Sequence, residues 1–525
     1  LEELPEELIT NILNVLGITS LIRCRQLNKL FKDTIDNNLA LQYKLELAIN
    51  GMEDGPPSPV TTAERLHILR QHRTAWDSMS HTSVQNIPSI RGYPWDFYGG
   101  VLARGTSTRG ISFIQLPSLL KGIPQRTWEF LELGVEIQDF HIDPAQDLLV
   151  IIGGTRSRCV ILLACDVVSQ IILILRSSVH IRSLSSGGPH PSAQKSGVLR
   201  YKHSLQGHRF ILNIIAKYLG VLFVNEDMSR KLVVWDWKRD VVVMEFYSDV
   251  QCSFAFLSER YILVAQGHSR GIIITIYAFV PTPASTGSTS PQLICQFHYP
   301  PIISSYEVVD ILVTGLPSPG WTPPKHLSVP FHLGRNHRLI SLSITFREGG
   351  NAIHTIPLST FLHHIHRYEF GAAPSGCKIS WDDWAPTNTR IHSWNHLFGY
   401  THVRTMHGTS SIFFREHRDL FGFVACRHLT IEEYNPLAVR KATLEMKDSP
   451  DMHDSEEEGG EHTRMSGHPA WDGVFGTGSD DVSFPLRERT CSLGFPCWTE
   501  PIIGEDHFIV LREMGGQHQY QVHCF

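Results

Sequence analysis

The chain has 525 residues, of which 42% are hydrophobic and 19% charged, an ordinary make-up for a folded chain of about two to four domains. A formal charge of -6 at pH 7, with Lys and Arg scattered rather than grouped, excludes the basic footprint of a general nucleic-acid binder. Ten cysteines without a Cys-x-x-Cys read as reduced, mostly buried thiols rather than a disulfide framework or a structural zinc site.

The first thirty-five residues carry the densest pattern. Pro5 suits the first position of a helix, where its missing N–H costs nothing, and Glu6 and Glu7 lie in the first turn near the positive end of the dipole. Leu8, Ile12 and Val15 form one helical row, and Ile9, Leu13 and Leu16 an adjacent one. Gly17 marks a stop, Thr19 or Ser20 a cap for the next helix, and Leu21, Cys24, Leu27, Leu30, Phe31 and Ile35 continue the apolar series. Units below about 40 residues rarely close a core unaided, so something else must cover these rows. The chain opens on Leu rather than Met, which leaves room for residues upstream, and its acidic start offers no signal peptide.

The run LPEELITNILNVLGITSLIRCRQLNKLFKDTI resembles an F-box, the segment that docks on the Skp-family adaptor of cullin-based ubiquitin ligases. The resemblance covers residues 1–40 and implies three short helices that present Leu4, Pro5, Leu8, Ile9, Ile12, Leu13, Leu16, Leu21, Leu27 and Phe31 to the adaptor and, through it, to cullin. It also implies a receptor without catalytic residues, metal or cofactor, which acts in the cytoplasm or nucleus by holding a protein target beside an enzyme that other subunits supply.

Residues 41–85 read as a helical linker. Leu39–Ile49 has apolar residues at helical intervals, a loop with Gly51, Gly55, Pro56, Pro57 and Pro59 interrupts it, and Thr61 with Glu64 is a capping-box signature for a helix to about Met79. Leu66, Leu69 and Trp76 fall on one side of that helix.

From about residue 86 the texture changes to short strands. Phe140–Leu175, Tyr218–Phe246 and Phe254–Phe297 each repeat strand, turn, strand, turn, strand, and the middle unit holds Lys231–Trp237 (KLVVWDW), resembling the closing Trp-Asp of a WD-type blade. Further units are expected at Val101–Leu116, Leu339–Pro357, Ser411–Glu445 and Val482–Glu513. Gly-His, which opens such blades, occurs at Gly207-His208 and Gly267-His268 without regular spacing, and Trp471-Asp472 reads as a loop. The longest apolar run, Val160–Leu175, is interrupted by Asp166, Ser169 and Gln170 and is shorter than the ~20 residues that cross a bilayer, so it reads as two buried strands. The expected fold is an α+β multidomain chain: a three-helix F-box, linker helices, and an all-β propeller of about seven blades over 86–525 that binds the target. A pair of β-sandwiches would give much of the same signal. Large F-box proteins with divergent β-rich parts, similar in texture to this chain, abound in mushroom-forming fungi.

Leu184–Gly197, Pro281–Gln292 and Gly315–Pro324 are rich in turn formers and read as insertions, and 446–468 reads as a solvated acidic loop. No phosphate loop, His-Glu-x-x-His or Gly-x-Ser-x-Gly occurs. His363, His364 and His366 would place two imidazoles on one face of a strand, yet such histidines are more often half-exposed side chains than ligands. Asp382-Asp383 between Trp381 and Trp384 reads as an acidic turn beside packed tryptophans. Two other classes remain open: an F-box scaffold that degrades nothing, and a propeller enzyme or binding module whose N-terminal helices only pack.

Overall fold

The computed structural model describes residues 4–88, 94–161, 170–201, 207–225, 227–268, 271–279, 291–303, 306–335, 337–348, 351–371, 374–386, 389–394, 405–418, 424–448, 486–492, 501–514 and 517–525. Four helices open the chain: α1 (Glu6–Val15), α2 (Ile18–Leu27), α3 (Lys29–Asn37) and α4 (Leu39–Ile49). Asn28 starts α3 by accepting from the Phe31 N–H at 2.8 Å, and Asn38 starts α4 by accepting from Ala40 and Leu41. The cap of α2 is Gly17; Thr19 and Ser20, the residues expected there, lie inside the helix. The fifth helix, α5 (Thr62–Asp77), carries the capping box the sequence announces: Thr61 Oγ1 accepts from the Glu64 N–H at 3.3 Å, and the Glu64 carboxylate accepts from the Thr61 N–H at 2.7 Å.

The linker is more than helices. Met52–Asp54 pairs antiparallel with Phe331–Leu333, which stitches it into the β domain, and Ser83–Pro88 is a strand that pairs with Gln517–Cys524.

Among the described residues the other strands build seven blades. Blade 1 is Trp95–Tyr98, Val101–Gly105, Ile111–Gln115 and Arg126–Phe130. Blade 2 is Ile137–Asp143, Leu148–Ile161, Gln170–Ser183 and Val198–Leu199. Blade 3 is Arg209–Ile215, Tyr218–Val224, Arg230–Asp236 and Val241–Ser248. Blade 4 is Gln251–Phe256, Tyr261–His268, Gly271–Ala278 and Gln292–His298, with Cys377–Ile379 added as a fifth, parallel strand. Blade 5 is Val308–Thr314, Leu339–Phe346, Asn351–Pro357 and Arg390–Trp394. Blade 6 is Met406–His407, Ser410–Arg418, Val424–Glu433 and Arg487–Ser492. Blade 7 is Ile502–Ile503, His507–Met514 and Gln517–Cys524, completed by Ser83–Pro88 from the other end of the chain.

The blades close a ring, because every neighbouring pair shares an apolar cluster. Phe113 and Ile151 share one between blades 1 and 2, Ile152 and Trp235 one between 2 and 3, and Leu222 and Phe254 one between 3 and 4. Ile274 and Ile344, then Leu339 and Met406, then Ile412 and Phe508 continue the series, and Ile509 with Phe97 joins blade 7 back to blade 1. A blade buried on both faces needs apolar residues at consecutive positions rather than alternate ones. In Tyr218–Val224 every residue is buried: Leu219, Val221 and Phe223 face blade 2, while Tyr218 and Leu222 face blade 4. This is a seven-bladed β-propeller, and Ser83–Pro88 is its clasp.

Several local readings change. LHHIHRYEF is helical, in α6 (Leu358–Glu369), because Leu358, Phe361 and Ile365 are buried at helical spacing; Asp382 and Asp383 lie in the short helix α7 (Trp381–Trp384). The unit expected at Ser411–Glu445 ends in α8 (Pro436–Asp448), and that at Val482–Glu513 spans the last strand of blade 6 and part of blade 7. Leu184–Gly197 and Gly315–Pro324 pack after all. His190 sets its ring edge-on to Trp237 at 5.0 Å, and the Trp321 indole donates to Asp143 at 2.9 Å. Trp471-Asp472, Pro281–Ser290 and nearly all of the 446–468 acidic loop lie outside the described residues.

Candidate adaptor-docking surface

The two apolar rows of α1 part company. Ile9 and Leu13, only 3% and 1% exposed, form a small core with Leu21, Phe31, Ile35 and, from α4, Leu41. The fourth helix is therefore the cover this unit needed. Leu16 packs partly against the same core. The other row stays in solvent: Leu8 is 49% exposed, Ile12 38% and Val15 82%, with Leu4 and Pro5 before them and Leu27 (70%), Leu30 and Leu39 nearby. Of the ten residues marked in the sequence, Leu4, Pro5, Leu8, Ile12 and Leu27 are thus on the surface, and Ile9, Leu13, Leu16, Leu21 and Phe31 support it from beneath. Val15, from the row of Leu8 and Ile12, joins the exposed set with Leu30 and Leu39; sequence reasoning left these three off the docking surface because a row on one short helix does not show how a second helix will cover it.

Polar contacts hold the unit in shape. Arg25 grips Asp36 with two hydrogen bonds, Nε to Oδ1 at 2.6 Å and Nη2 to Oδ2 at 2.9 Å, tying α2 to α3. Lys44 reaches from α4 to the open carbonyls at the end of α1, donating to Asn14 O at 2.7 Å and Leu16 O at 2.6 Å.

The helices do not swing freely. Strands within a blade alternate in direction, so the turns after the first and third strands of every blade emerge on one face, and the linker is fastened there. Asn435 donates to Ala48 O and Ile49 O at 2.8 Å each, and Lys441 of α8 meets Glu46 at 3.2 Å. Arg65 donates to Asp54 at 2.6 Å and to Pro330 O at 2.9 Å. At the far end of α5, Asp77 is paired with Arg487 at 3.0 Å and Arg489 at 2.5 Å, and Trp76 stacks on Phe525 at 4.1 Å.

Between these lies a buried ion cluster. Lys121, on the third turn of blade 1, contacts both Glu505 and Asp506 on the first turn of blade 7, the latter at 2.9 Å, and its ammonium sits 4.9 Å from the centre of the Phe331 ring. His72 Nε2 of α5 lies 3.0 Å from Asp506 Oδ1, the Trp76 indole donates to Glu505 O at 3.2 Å, and Glu505 Oε2 accepts from the Leu333 N–H at 3.1 Å. Burial alone would raise both carboxyls, but Lys121 overrides it and holds Glu505 and Asp506 below the usual carboxylate range, with His72 adding to the effect on Asp506. Four parts of the chain, around residues 72–76, 121, 331–333 and 505–506, meet in this cluster, so no local sequence signal could have revealed it.

A cleft between blades 1 and 7 and the 315–335 segment, which joins the first two strands of blade 5, lies beside the cluster, lined by Phe97, Tyr98, Gln115 and Trp321. Its charged groups, Lys121, Glu505 and Asp506, are committed to one another. His507 is bound to Pro117 O at 2.8 Å, and burial lowers His407 to about 4. No group of three or more His, Cys, Asp or Glu able to hold a metal occurs among the described residues, and no described helix is long and apolar enough to cross a membrane.

The family model for the F-box domain matches residues 1–41. The chain thus carries an F-box domain at its N-terminal end, followed by a seven-bladed β-propeller. No curated protein matches the chain. Among solved structures it is similar to the WD40 domain of SCAP from fission yeast, at 8% identity over 84% of this chain and 98% of that one with a TM-score of 0.37. Hsv2 of Kluyveromyces lactis is similar at 10% identity over 52% of this chain and 94% of that one, TM-score 0.23. Oligopeptidase B from Leishmania major follows at 8% identity over 69% and 46%, TM-score 0.25. The ring itself rests on the seven sheets and their shared interfaces.

Proposed function

We propose that this chain is the target-recruiting subunit of a Skp–cullin–F-box ubiquitin ligase. Leu4, Pro5, Leu8, Ile12, Val15 and Leu27 meet the Skp-family adaptor, and Ile9, Leu13, Leu16, Leu21 and Phe31 shape that surface from below. The observation that carries this reading is the division of α1 into one buried and one exposed apolar row, on a unit clamped to the propeller. An apolar row left in water by a closed core asks for a partner of matching shape. The propeller face opposite the linker takes the protein target, since the near face is occupied by α5, α8 and the 315–335 segment of blade 5.

The receptor does no chemistry of its own. Tethering raises the local concentration of the target at a transferring enzyme to the millimolar range, and a fixed linker maintains the distance between them. Such work is done in the cytoplasm or nucleus, where the ubiquitin machinery resides.

The test is the half-life of proteins that the propeller binds, measured in cells expressing the wild-type chain or Leu8→Asp. A severalfold longer half-life with the variant is expected for at least one bound protein. Unchanged half-lives for every bound protein would overturn the degradation role and leave a scaffold.

A further inference from the structure

The rim of blade 4 brings two thiols into register. Cys377–Ile379, which belongs to the 358–389 excursion of blade 5, runs parallel to the outer strand of blade 4 with Cys377 opposite Cys295 and Ile379 opposite Phe297. All four residues turn to one side: Cys295, Phe297 and Ile379 belong to a single apolar cluster, and Cys377 packs against it. The register is pinned from the flank, where Gly376 N–H donates to Ile294 O at 2.8 Å and the Ser375 hydroxyl to Leu293 O at 2.5 Å. Paired residues of adjacent strands lie about 4.8 Å apart, within the ~4.4–6.8 Å between Cα atoms that a disulfide spans. Both cysteines are free thiols.

The two differ in access. Cys295 is fully buried, and its thiol is pushed up to about 12 by burial, with Cys377 adding to the shift, so it is a poor first nucleophile. Cys377 is half-buried and reachable.

We propose that Cys377 and Cys295 form a reversible redox staple between blade 4 and the excursion of blade 5, with hydrogen peroxide as oxidant. The Cys377 sulfur attacks one peroxide oxygen and becomes a sulfenic acid, while the other oxygen leaves as water. The Cys295 sulfur then attacks the Cys377 sulfur; the S–O bond breaks, the sulfenic oxygen leaves as the second water with the Cys295 proton, and the S–S bond forms. Two thiols lose two electrons, and one peroxide becomes two waters. The staple fastens an excursion otherwise held by packing such as that of Phe361 and Trp384 on Phe297.

Hydrogen peroxide treatment of the full chain, followed by iodoacetamide, non-reducing digestion and mass spectrometry, tests this. The expected product is a linked peptide holding Cys295 and Cys377 that dithiothreitol releases. It should be absent from Cys377→Ser and from the urea-unfolded chain, while Cys295→Ala should trap Cys377 as a dimedone-reactive sulfenic acid. The proposal is overturned if both cysteines remain alkylated after treatment, if Cys377 links to another cysteine, or if the unfolded chain gives the same peptide equally well.

Discussion

Leu8→Asp and Ile12→Asp should each weaken binding of the Skp-family adaptor by about 30-fold or more while leaving the fold intact. Removing a Leu or Ile from an apolar contact forfeits about 1.5–3 kcal/mol. A carboxylate adds its own desolvation cost, and each 1.4 kcal/mol is about tenfold in affinity. Both side chains stand in solvent in the free chain, so neither change disturbs its core. Leu13→Asp is the contrasting case. Leu13 is buried among Leu21, Phe31 and Ile35, and a carboxylate there should melt the helical unit. Calorimetric titration with the adaptor, paired with circular dichroism, separates the two effects. Wild-type affinity in both Leu8→Asp and Ile12→Asp would move the docking surface off this row.

The second large effect concerns the clamp. Lys121→Met should lower the unfolding free energy by about 3–5 kcal/mol at pH 7, because it strands two buried carboxylates without their cation. The pH dependence should also invert. In the wild type Glu505 and Asp506 titrate below their ordinary values, so the stability they contribute is complete above the unfolded carboxylate pKa of about 4 and is lost as pH falls through the folded values. Without Lys121, burial and their mutual repulsion raise both carboxyls, and the variant loses stability as pH rises through the raised values. Urea unfolding at pH 5 and pH 7 checks this: the gap from wild type should narrow at pH 5. A gap of equal size at both pH values would show that Lys121 acts through packing alone.

What could be read from the sequence was local. The Thr61–Glu64 box acts within a few residues, so α5 was legible with its ends nearly correct, whereas the caps Asn28 and Asn38 went unread. The middle blades were legible because their strands follow one another closely. Blade 6 was not, since α8 and a long segment separate its last strand from its third, and blade 7 takes its outer strand from Ser83–Pro88. LHHIHRYEF was misleading: His364 and His366 alternate as in a strand, but Leu358, Phe361 and Ile365 keep the helical period, and burial follows the apolar residues. The docking rows were both visible in the sequence. Which of them is covered depends on Leu41, a residue of the next helix but two, so only the folded chain assigns them.

The central claim is that the exposed row of the N-terminal helices joins this propeller to a ligase. Co-purification of the tagged full chain from cells expressing adaptor and cullin measures it directly, beside a chain that lacks residues 1–37 and keeps Asn38 as the cap of α4. The account predicts that the full chain brings down both partners and the shortened chain neither, with the propeller folded in each. A full chain that captures neither partner, or a shortened one that still captures both, would contradict it.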